Sequence, residues 1–165
     1  MPEDRMTDAE AVDTIWKRAG EIDFCMFVTW DGERQRARPM SARPRRDEHR
    51  IYFLADANGR KDDQLARFPK VTLAFADNAA HDYIAITGAA TVSEDRAKIR
   101  DLWTGTDRAW WDDADDPAIR LIAVTPEDAE LWQGPHGILA TAKLVAAAAT
   151  GATSDFGENV KVDHL

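Results

Sequence analysis

The chain carries one cysteine, Cys25, in 165 residues, so no disulfide can close within it. A reducing cytoplasm is the expected compartment. Long apolar runs are missing too: nothing approaches the roughly 18 unbroken apolar residues of a membrane span. The opening residues, MPEDRMTDAEAVD, are acidic where a secretory or organelle signal would be basic and apolar. Positive charge is in deficit, with 21 Lys and Arg against 30 Asp and Glu and a net charge of −9. That balance keeps the protein soluble and argues against a general nucleic-acid binder. The four histidines, His49, His81, His136 and His164, show no ligand spacing. The aspartates at 112, 113, 115 and 116 lack the glycine and terminal glutamate of a calcium loop, so a solvated acidic turn is expected and no metal site. There is no internal repeat and no low-complexity linker, so residues 1–165 read as one domain.

What is present is ordinary globular composition, 44% apolar and 31% charged. Thr7 and Glu10 form a capping-box pattern, and Val12, Ile15, Trp16 and Ala19 fall on one face, which predicts a helix over 7–19 stopped by Gly20. Phe24–Trp30 is a β-rich run ending in the two-residue hairpin signal Asp31-Gly32. The returning strand, Glu33–Arg43, puts Arg34, Arg36, Arg38, Met40 and Ala42 on one face, and Pro39 marks an edge or a bulge. Further strands are predicted at 51–55, 71–75, 83–92, 119–125 and 129–132, the last two divided by Pro126 and Glu127. Gly88 marks a place where something packs close to the backbone. Helices are predicted at 94–103, capped by Ser93, and at 138–149, followed by a loose tail over 150–165. The pattern is α+β: a mainly antiparallel barrel of about six strands over 24–134, with helices outside.

One junction stands out for chemistry. The strand over 51–55 runs through Asn58 and Gly59 to two adjacent cations, Arg60 and Lys61, at the start of a short helix that ends at Pro69. With Arg38 on a neighbouring segment, these charges and the free amides of a helix start suit a phosphate. Edge arginines that merely keep a strand soluble and unpaired are the competing reading. Cys25 lies mid-strand among apolar residues, where a buried, inert thiol is expected. Trp110 and Trp111 in a polar loop must pack against something: the barrel, a second subunit or a flat aromatic ligand. Trp132, at the end of a strand, is well placed as a platform beside a planar ring.

Five segments in order resemble the flavin-binding split-barrel proteins related to pyridoxamine 5′-phosphate oxidase. They are Arg38-Pro39-Met40-Ser41-Ala42-Arg43; Tyr52-Phe53-Leu54-Ala55 before Gly59-Arg60-Lys61; Gln64-Leu65 with Pro69, Val71 and Phe75; Tyr83 with Gly88; and Glu130-Leu131-Trp132-Gln133-Gly134. The resemblance implies FMN bound at the interface of a homodimer. Arg38, Arg60 and Lys61 would hold its phosphate. Met40, Ser41, Leu54 and Ala55 would line the isoalloxazine with backbone groups, with Pro39 among the cofactor-binding positions. Tyr83 and Trp132 would close the site, Trp132 from the second subunit. The oxidase's Arg-x-His substrate element is replaced by Pro135, His136 and Gly137, which makes vitamin B6 oxidation unexpected. The general stress protein branch is the better likeness. It implies a cytoplasmic FMN-dependent oxidoreductase with a small-molecule electron donor or acceptor. The rival reading is a non-catalytic protein holding flavin, haem or deazaflavin. Hydride transfer by a flavin needs no protein acid or base, and none stands out.

Overall fold

The computed structural model describes residues 6–58, 61–134, 138–151 and 157–165. The capping box at Thr7 starts the first helix, α1 (Asp8–Ile22). The Thr7 hydroxyl accepts the Glu10 N–H at 3.3 Å, while the Glu10 carboxylate accepts the Thr7 N–H at 2.8 Å. The helix passes through Gly20 rather than stopping there, and ends at Asp23. Ala11, Ile15, Trp16 and Ala19 form its buried stripe, as the spacing predicts.

Strand β1 (Phe24–Trp30) is joined to β2 (Gln35–Ser41) by four residues, not two. The Asp31 carboxylate takes the N–H groups of Glu33 and Arg34 at 2.9 and 2.7 Å and widens the turn. The strand expected over 33–43 breaks at Ala42 and resumes as β3 (Arg43–Arg45). Ala42 marks a change of partner: β2 pairs with β1, whereas β3 pairs with β4 (Arg50–Asp56). The remaining elements are α2 (Lys61–Arg67), β5 (Lys70–Asp77), β6 (Asp82–Ser93), α3 (Arg96–Leu102), β7 (Ile119–Gln133), α4 (Ile138–Thr150) and β8 (Glu158–Val162). Asp95, not Ser93, caps α3 and takes the Lys98 N–H at 3.0 Å.

The strands form one antiparallel sheet in the order β2-β1-β5-β6-β7-β4-β3, with β8 added alongside β7. The strand that turns at Ala42 thus supplies both edges and curls the sheet into a half-barrel. The α+β split barrel is observed, with eight strands among the described residues where six were expected. Two local effects explain the difference in detail. Pro126 does not break β7, because it sits at a bulge: Gly88 faces Pro126 while Thr87 faces Asp128, leaving Glu127 as the extra residue. The expected tail contains β8, whose Val162 is buried together with Leu165.

Side chains pointing inward make the core, where Phe27 meets Phe53 edge to face at 5.0 Å. On the outside the sheet is covered over only part of its area. Tyr52 and Leu54 of β4, with Ile119 and Leu121 of β7, lie beneath α3 residues Ile99 and Leu102 and beside Trp103 and Trp111. The outer face of β1, β6 and the far end of β7 leaves Phe24, Met26, Trp30, Tyr83 and Trp132 exposed. No helix among the described residues is long and apolar enough to cross a membrane.

Gly88 is where a side chain would cost most, since an added Cβ would stand 2.5 Å from the Thr125 carbonyl oxygen. Gly88→Ala is expected to lower unfolding free energy by about 1–3 kcal/mol. Gly105→Ala, with nothing within 4 Å of the added atom, should change it by less than about 0.5 kcal/mol. Denaturant midpoints of the two variants check this pair.

Candidate functional site

Period-two geometry divides the sequence-predicted residues between the two faces of the sheet. Arg38 and Met40 pair with Phe27 and Cys25, so they point into the half-barrel, and Met40 is buried in the core. Pro39 and Ser41 pair with Met26 and Phe24 on the outer face. Tyr83 and Trp132 are direct cross-strand neighbours on that same face. Leu54 is on the outer face beneath the α3 cluster, and Ala55 is in the inner core. Arg60 lies outside the described residues, as does the side chain of Lys61. β2 and β7 are separated by β1, β5 and β6, four inter-strand spacings or roughly 19 Å. Trp132 and Ser41 thus stand on strands that are not neighbours in the sheet order.

Arg38 is the most telling of these. It is half-buried, and it donates to the Thr29 hydroxyl at 3.3 Å. Among the described residues no carboxylate pairs with it. Burial, with Arg36 adding repulsion, holds its pKa below the usual guanidinium value. Several other arginines are compensated. Arg36 pairs with Asp31 at 2.8 Å and Arg43 with buried Asp107. Arg120, beside a groove of about 510 Å³ between α2 and the end of β6, is neutralised by Glu94 at 2.9 Å. A half-buried positive charge without a counterion is costly unless an anion joins it. On α2, the Gln64 side-chain oxygen is buried without a hydrogen-bond partner, a second polar group suited to a ligand. The first turn of α2 carries Asp62 and Asp63, which already offset the helix dipole. An anion here would therefore rely on side-chain cations more than on helix amides.

Other sequence candidates resolve simply. Cys25 is buried, and its thiol is pushed up to about 12, chiefly by burial and then by the nearby Asp23 carboxylate. It is no nucleophile. Trp111 packs against Trp103 at 6.5 Å, while Trp110 is 76% exposed. Residues without a sequence signal also shape the site. Arg18 on α1 reaches Asp82 and Asp77, each at 2.7 Å, and Gln133 reaches Asp82 at 3.2 Å. This clamp steadies the strand ends that carry Tyr83 and Trp132. Asp107 fastens the Trp110–Trp111 loop to β3 through Arg43.

An antiparallel half-barrel with a half-buried arginine in its inner row and an exposed aromatic outer face defines a protein of the split-barrel class. Residues 10–155 match the family model described as pyridoxamine 5′-phosphate oxidase like, and the chain belongs to that family. Among solved structures it is similar to a protein described as general stress protein 26 from Jannaschia sp. CCS1. The TM-score is 0.76 at 23% identity, over 94% of this chain and 99% of that one. A general stress family protein from Xanthomonas campestris pv. campestris aligns with a TM-score of 0.70 and 25% identity, over 82% and 94% of the two chains. A protein described as the general stress FMN/FAD binding protein from Xanthomonas citri gives 0.69 and 24%, over 78% and 92%. No curated protein matches.

Two measurements probe the charges. Arg38→Gln should leave the melting temperature unchanged or higher, while abolishing the stabilisation that inorganic phosphate gives the wild type. A phosphate shift that survives the substitution counts against an anion site at Arg38. Several carboxylates are held below their ordinary pKa: Asp31 by the Arg34 N–H and then Arg36, Glu48 by Lys98 and then Tyr52, and Asp77 by the Ala80 N–H and then Arg18. Groups lowered in the folded state add stability above their unfolded pKa and lose it as pH falls through the folded one. Melting temperature should therefore drop below about pH 4, with a shallower drop in Asp77→Asn.

Proposed function

We propose that this protein is an FMN-binding flavoprotein and an oxidoreductase, working in the cytoplasm as a homodimer with a flavin at each end of the interface. The observation that carries this reading is the half-buried Arg38 guanidinium, which among the described residues meets the Thr29 hydroxyl and no carboxylate, in a chain with a net charge of −9. An acidic protein that leaves such a cation uncompensated has kept a place for an anion.

In this reading Arg38, with Arg60 and Lys61, holds the phosphate of the nucleotide. The strand from Pro39 to Ser41 offers backbone groups to the ring, as do Leu54 and Ala55, whose side chains are buried in the α3 cluster and the inner core. Tyr83 and Trp132 close the site, Trp132 from the second subunit. Support for the twofold comes from the aromatic outer face: Phe24, 58% exposed, with Met26, Trp30, Tyr83 and Trp132 makes an apolar surface that a second copy would cover. A bound flavin supplies the hydride or electron transfer. The side chains bind and orient it and exclude water, and no protein acid or base is required. Support for the cofactor class includes the FMN/FAD binding named in the description of the similar Xanthomonas citri protein.

Titration of the purified protein with FMN, read by quenching of flavin fluorescence, tests the reading. The wild type should bind, and Arg60→Ala/Lys61→Ala should weaken binding by about 3–6 kcal/mol, since each charge-assisted bond contributes about 1.5–3 kcal/mol. Reduction of the bound flavin by a nicotinamide donor, followed at steady state, tests the oxidoreductase assignment. Equal affinity in wild type and double variant would remove Arg60 and Lys61 from the phosphate site.

A further inference from the structure

The residue between α1 and β1, Asp23, has φ 67° and ψ −72°, a strained γ-turn-like conformation that side chains rarely adopt. Glycine would take it without strain. An aspartate kept here must therefore do something with its side chain. Its N–H closes α1 onto the Ala19 carbonyl at 3.2 Å, which any residue could do. Its two oxygen groups do more. The carboxylate accepts the Ser41 hydroxyl proton, and the carbonyl accepts the Ala42 N–H at 2.9 Å. Both bonds go to the corner at which one strand leaves β1 for β4.

We infer that Asp23 is a positioning residue for the nucleotide site, fixing the corner at Ser41 and Ala42 and through it the placement of β2. The inference rests on the flavin reading given above. Among the described residues β2 ends the sheet and takes ladder bonds from β1 alone, so its other side is tied down at the corner. The corner therefore sets how far Arg38, on the inner face, stands from β4 and α2. It also sets the place of Ser41 on the outer face, beside Phe24. There is a chemical consequence. With its proton committed to Asp23, the Ser41 hydroxyl shows a ligand only acceptor lone pairs, so it selects a donor such as a ring N–H or a ribityl O–H.

Three variants separate positioning from mere support of the fold. Asp23→Gly and Asp23→Ala both remove the carboxylate, but only glycine relieves the backbone, while Asp23→Asn keeps an acceptor. Melting temperature should rank Gly above Ala. FMN affinity should instead track the side chain: about tenfold weaker in both Gly and Ala, and within about threefold of wild type in Asn. Hydrogen exchange of amides 38–42 in the ligand-free proteins should follow the same division, faster in Gly and Ala than in Asn and wild type. Affinity that follows melting temperature, or a glycine variant that binds and exchanges like wild type, overturns the role. If the wild type takes up no FMN, the flavin reading fails by itself, and the exchange comparison alone decides for or against Asp23.

Discussion

The architecture depends on a single strand changing partners. Residues 35–41 pair with β1 at one end of the sheet order, residues 43–45 pair with β4 at the other, and Ala42 belongs to neither ladder. Without that bend the sheet would be an open layer with two free edges, each inviting another chain. With it the sheet curls, its inner face becomes a core around Phe27 and Phe53, and a mouth is left where the inner row of the bent strand reaches solvent. Arg38 stands in that row.

Positive charge is concentrated along this bend in an otherwise acidic protein. Seven arginines fall between positions 34 and 50, along the bent strand and the hairpin after it. Most are paired or solvated: Arg36 with Asp31, Arg43 with Asp107, Arg46 with Asp13. These pairs hold turn and loop against the strand. Three half-buried arginines have no carboxylate partner among the described residues: Arg45 and Arg50 donate to the Pro44 and His49 carbonyls, at 3.3 and 2.8 Å, and Arg38 to the Thr29 hydroxyl. The outside of the sheet shows a matching asymmetry. α3 and the loop carrying Trp103 and Trp111 seal the surface over β4, whereas that over β1 and β6 stays apolar and open. The exposed aromatic face thus lies on the outside of the sheet, and the Arg38 guanidinium on its inside.

Much of this was legible in the sequence because the signals were local. The Thr7–Glu10 box, the alternation of Arg38, Met40 and Ala42, the edge proline at 39 and the close approach at Gly88 each follow from one or two residues and their neighbours. Misreadings occurred where a local rule met a tertiary one. Pro126 looks like a break, but a bulge places it where its missing N–H does no harm. Gly20 looks like a stop, but the stripe of α1 stays buried past it. The short Val160–Val162 alternation reads as tail until β7 lends it a ladder. Asp23, Arg18 and Asp107 had no signal at all, because their partners lie 18, 64 and 64 residues away.

The most direct test is a crystal structure of the protein grown with FMN. The account predicts the nucleotide's phosphate within about 3 Å of the Arg38 guanidinium. It also predicts a twofold burying Phe24, Met26 and Tyr83, and Trp132 of the second copy against the ring. A phosphate bound elsewhere, or a lone subunit with that aromatic face in solvent, contradicts it.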